Sequence, residues 1–97
     1  MNPSEQLNEL RVRITQGSIA ANEIAPELRG LLDFFNFAAG KPPYREKIRN
    51  AITWAEIQVK RNNKLNHDGG YDRVQRFLLE DIAAAASWAE RLQKAAS

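Results

Sequence analysis

Residues 44–60, YREKIRNAITWAEIQVK, decide the fold, because their apolar side chains return every three or four positions. Tyr44, Ile48, Ala51, Ile52, Ala55 and Val59 fall on one face when residues are placed at 100° steps, the period of an amphipathic α-helix. No alternation of period two runs through the segment, so a strand does not fit it. The helix is expected to start at Pro43 or Tyr44 and to run to about Asn62.

On its N-terminal side the segment is preceded by Gly40-Lys41-Pro42-Pro43, a firm helix stop, since glycine suits the position after a helix and proline cannot continue one. A helical stretch over about Ser18 to Ala39 carries Ile24, Leu28, Leu31, Leu32 and Phe35 as its main stripe. Pro26 lies inside it and predicts a break or kink near Ala25. Further out, Asn2, Pro3 and Glu5 form a helix start: a capping side chain, a proline in the first turn and a glutamate three residues after the cap. Leu7, Leu10 and Ile14 give that first helix its apolar face, and Gly17 ends it.

On the C-terminal side, Asn62 to Gly70 is rich in turn formers and reads as an exposed loop. A fourth helix follows from about Tyr71 to Gln93, with Val74, Phe77, Leu78, Ile82, Ala85, Trp88, Ala89 and Leu92 as its stripe. The run Ala83 to Ala86 combines helix propensity with small bulk and should let a neighbouring helix come close. The expected fold is therefore all-α: a single domain over residues 1–97, built as a small bundle or antiparallel hairpin of about four helices.

Composition sets further bounds. The chain has 97 residues, 43% apolar and 27% charged, with a net charge of +2 and no cysteine. One core is all it can bury. Without cysteine there is no disulfide, no thiolate metal ligand and no thiol nucleophile. No apolar run approaches the roughly 18 to 20 residues of a membrane span, and the N-terminus lacks a signal-peptide pattern, so the expected location is cytoplasmic.

Charge is unevenly spread. Residues 41–64 hold Lys41, Arg45, Lys47, Arg49, Lys60, Arg61 and Lys64 against Glu46 and Glu56, whereas residues 1–40 are net acidic. That polarity points to an anionic partner for the middle helix, a nucleotide-like small molecule or an acidic protein surface, with a solvated helix face as the plain alternative. Tyr44, Arg45, Lys47, Arg49, Trp54, Ile57 and Arg61 are the candidate binding residues, the arginines for fork-like contact with anions and the aromatics for stacking. Nucleic acid, through Arg73, Arg76 and the same basic helix, is a less favoured third reading.

Some side chains exceed what a single stripe can bury. Trp54 and Ile57 lie off the apolar line of the third helix, on a face shared with Lys47 and Arg61. Phe34 and Phe37 lie off the Leu28/Phe35 line. Phe34, Phe37 and Trp54 are accordingly the candidate interface residues of a homo-oligomer. Asp81 stands within the apolar stripe of the fourth helix and must find an Arg, Tyr or Trp donor, because an unpaired carboxylate is costly to bury. His67 and Asp68 sit in the polar loop and read as an exposed turn. With one histidine and no further clustered ligands, no metal or cofactor site is expected, and no catalytic motif is present.

The third helix also resembles a known group. Arg45-Glu46, then Ala51-Ile52-Thr53 and Trp54-Ala55, is similar to a run on the long helix of small phage-encoded helical-hairpin proteins. Trp54-Ala55-Glu56-Ile57 replaces the Lys-Leu-Glu-Glu run of that group, and no binding residue is carried over. The resemblance implies an oligomeric, non-enzymatic sponge that sequesters a cyclic nucleotide or cyclic ADP-ribose messenger and so blunts host anti-phage defence. The competing expectation is a protein–protein inhibitor or adaptor that blocks a host complex through the aromatic and basic helix face.

Overall fold

The computed structural model describes residues 2–35, 43–61 and 73–96, which form four helices and no strand. Helix α1 spans Pro3–Gln16. The Asn2 side chain accepts a hydrogen bond from the Glu5 N–H at 2.9 Å, and Pro3 stands in the first turn, where its missing N–H is not needed. At the other end Gly17 adopts φ 70°, a left-handed conformation that favours glycine. The Ser18 N–H then reaches back to the Arg13 carbonyl at 2.9 Å and the Gly17 N–H to that of Ile14 at 3.1 Å.

Helix α2 spans Ala21–Leu31 and passes through Pro26 without the expected break. An interior proline costs about 3 kcal/mol. Ile24, Ala25, Leu28 and Leu31 are all buried, on both sides of Pro26, and their common burial outweighs that cost. Pro26 and Asn22, whose carbonyl loses its bond, both face solvent. The helix also ends earlier than Ala39: residues 32–35 are a turn that folds Phe35 into the core, its ring edge-on to Tyr44 at 5.0 Å. Phe37 and the Gly40 to Pro42 stop lie outside the described residues.

Helix α3 spans Tyr44–Lys60 and buries Tyr44, Ile48, Ala51, Ile52 and Ala55 as the periodicity requires. Its last buried position is Gln58, while Val59 is 44% exposed. Gln58 falls on the flank that meets the next helix, four residues after Trp54 on that flank. Helix α4 spans Arg73–Ala96. Ala85, Ala86 and Ala89 are buried, in keeping with a close approach between helices at small side chains. Trp88 and Leu92 pack partly against the core, and Phe77 is 38% exposed.

Helix α4 packs against both α1 and α3, and α3 also packs against α2. Ser4 and Gln93 exchange two hydrogen bonds, at 3.0 and 3.1 Å, which pins the start of α1 to the end of α4 and sets the two antiparallel. Arg29 with Glu56 and Arg45 with Asp33 set α2 antiparallel to α3. Between α1 and α2 the Arg13–Glu27 ion pair spans a cleft of about 300 Å³ lined by Leu10, Leu31 and Gly30.

Gly30 is exposed in helical conformation, and a Cβ added there would meet nothing within 4 Å. Gly30→Ala should therefore stabilise the fold by about 0.5–1 kcal/mol, through the restricted unfolded chain. A thermal melt should show the midpoint rise by about 2–8 °C.

Candidate functional site

Two outward stripes meet where α3 and α4 lie side by side. On α3, Lys47, Asn50, Trp54 and Ile57, with Arg61 at its C-terminal cap, recur at three- and four-residue steps, rotated away from the buried line. On α4, Arg73, Phe77, Asp81, Ala84, Trp88 and Arg91 do the same. The stripes are joined by contact: the Trp54 and Phe77 rings lie 5.0 Å apart at 39°, and the Trp54 indole N–H donates to Asp81 Oδ2 at 2.8 Å. Lys47 Nζ stands 3.9 Å from Asp81 Oδ1.

Asp81 thus has the tryptophan donor its position demands, with a cation beside it. The pair fixes the indole in one orientation, so that its ring edge and that of Phe77 stay at the surface. Asp81→Ala should cost about 1–2 kcal/mol, because the half-buried indole N–H and Lys47 both lose their partner. Asp81→Asn, which keeps an acceptor, should cost less. Urea denaturation of both variants checks this.

Electrostatically the stripes are lopsided. Within the stripes Lys47, Arg61, Arg73 and Arg91 stand with one acid, Asp81, which is already engaged, and the exposed Glu46 and Glu80 border them. Arg73 stands in the first turn of α4, where the helix dipole disfavours a cation, and that turn holds no acid to offset it. Arg91 lies over the Trp88 ring, 4.9 Å from its centroid. Arg61 and Arg73 make no ion pair with any described residue.

Of the candidate binding residues, Lys47, Trp54, Ile57 and Arg61 share this face. Tyr44 does not: its ring is 1% exposed, its hydroxyl donates to the Leu31 carbonyl at 2.7 Å, and burial pushes its pKa up. It cannot stack on a surface ligand, since it lies on the core stripe of α3. Arg45 turns to α2 and pairs with Asp33 at 2.8 Å. Arg49 points into solvent on the far side of α3, with Thr53 bonded to its carbonyl at 3.1 Å. Of the interface candidates, Phe34 is 54% exposed beside Phe35, and Phe37 lies outside the described residues.

Sequence reasoning missed the contribution of α4. The spacing of Arg73, Phe77, Trp88 and Arg91 was readable as a second stripe, but Phe77 and Trp88 also fit the core line. His67 and Asp68 lie outside the described residues. Among the described residues no group of three His, Cys, Asp or Glu side chains could hold a metal ion, and no helix is long and apolar enough to cross a membrane. Comparison with known proteins finds no matching family model, curated protein or solved structure.

Proposed function

We propose that this chain is a non-catalytic binding protein that engages an anionic partner through the outward α3/α4 face. The observation that carries the reading is the partly exposed Trp54/Phe77 pair, held by Asp81 and flanked by Lys47, Arg61 and Arg73. Aromatic anchors ringed by cations are the residue types that carry interface energy, and a fixed indole loses little entropy on binding. The resemblance to phage immune-evasion proteins gives the binding a counter-defence role, with a nucleotide-like messenger held between copies of the chain. The exposed Phe34 supplies apolar surface for such self-association.

A second reading is an inhibitor or adaptor that covers an acidic surface on a host complex. It is favoured by the cations being strung along two helices, with Arg45 and Arg49 turned away, so that they do not converge on one point.

Native mass spectrometry of protein purified from cells tests the proposal. The expected result is a multimer, or a chain carrying an added anionic mass, that Phe77→Ala with Arg61→Gln reduces to the bare monomer. A bare monomer from the unaltered chain contradicts it.

A further inference from the structure

The order of groups along the face says more about the partner. From Arg73 to Arg91 the α4 stripe rises over 18 residue steps, about 27 Å of helix. Cations stand at both ends, Arg61 and Arg73 at one and Arg91 at the other. Between them lie the Trp54 and Phe77 rings in contact, with Trp88 beneath Arg91. Trp54 fixes the register of the two helices, since Arg61 is two turns beyond it on α3 and Arg73 one turn before Phe77 on α4.

The geometry points to single-stranded nucleic acid as the partner of this face, its phosphates on the terminal arginines and a base against the Trp54/Phe77 pair; the inference rests on the binding reading above. A chain of regularly spaced anions suits cations spread over that length, where a compact ion would reach one end alone. Every base offers a planar face to an aromatic ring, whereas an acidic peptide offers carboxylates and nothing for the rings. A duplex keeps its bases stacked inside, out of reach of side chains on an open helical surface. Arginine forks suit phosphate oxygens, and three of the four cations on the face are arginines.

Fluorescence anisotropy of labelled dT15 and rU15, with poly-glutamate as competitor, tests this. Binding should weaken as salt rises, with a logarithmic slope of about −2, since each of three arginines contributes about 0.7 on a single strand. Arg61→Gln with Arg73→Gln should reduce the slope to about −0.7, and Phe77→Leu should weaken binding roughly fivefold or more. Arg49→Gln with Lys60→Gln removes the same charge from the other side of α3 and should leave binding within about twofold.

All these positions are exposed, so the fold survives the changes. Equal weakening by the two charge pairs overturns the inference, because a diffuse positive cloud would then account for the binding. Poly-glutamate binding that depends on Arg61 and Arg73, with neither oligonucleotide bound, overturns it and leaves the anionic-partner reading standing. Binding of none of the three polymers overturns it as well.

Discussion

Replacing Leu78 with alanine is expected to remove about 3 kcal/mol of stability. Leu78 is fully buried on the helix that touches both α1 and α3, so the cavity opens at the centre of the bundle. A chain of this size holds about 5–10 kcal/mol in total, and each kilocalorie is worth about 4–8 °C in the thermal midpoint. The variant should melt at least about 12 °C lower than the unaltered chain. Leu79→Ala is the internal control: Leu79 packs only partly against the core, at the edge of a surface groove with Val12, and should lose less than half as much. Equal losses at the two positions would contradict the placement of the α4 core face.

Tyr44 carries an effect with a pH signature. Its hydroxyl donates to the Leu31 carbonyl at the end of α2, which also accepts a longer 3.4 Å bond from the Phe34 N–H. Tyr44→Phe should cost about 1 kcal/mol at neutral pH. Burial raises the pKa of Tyr44 above its ordinary value near 10. The folded chain therefore holds the proton where the unfolded chain releases it. Stability from this group is intact below about pH 10 and falls as pH rises above it, by up to about 1.4 kcal/mol per unit. Denaturation curves for the unaltered chain and Tyr44→Phe should differ at pH 8 and converge towards pH 11. Curves that stay parallel would place the hydroxyl in contact with water.

These two residues also show how far the sequence could be read. The all-α bundle followed from the spacing in residues 44–60 and from local signals at Asn2 and Gly17, because capping and periodicity depend on near neighbours. The need of Asp81 for a donor followed from its place in an apolar stripe, and Trp54 answers it. Pro26 leaves the helix unbroken because its cost is local, whereas the burial of Ile24 and Leu28 that outweighs it comes from another helix.

Tyr44 satisfied two expectations at once, a core position and a stacking group, and packing chose the first. Arg45 and Lys47 looked alike as cations on one helix. Which of them faces α2 and which faces α4 depends on where the neighbouring helices lie, and that is a tertiary fact. The face itself was half legible: Trp54, Ile57 and Arg61 stood off the stripe of α3, but their companions on α4 emerged only when Phe77 was found outside the core.

Chemical-shift mapping of the ¹⁵N-labelled chain, titrated in turn with dT15 and poly-glutamate, tests the central claim most directly. The account predicts that one of these probes moves the Trp54 indole N–H signal and the amides around Ile57, Phe77 and Arg73, while α1 stays still. Shifts confined to α1 and α2 with either probe would contradict the α3/α4 face as the place where this protein meets its partner.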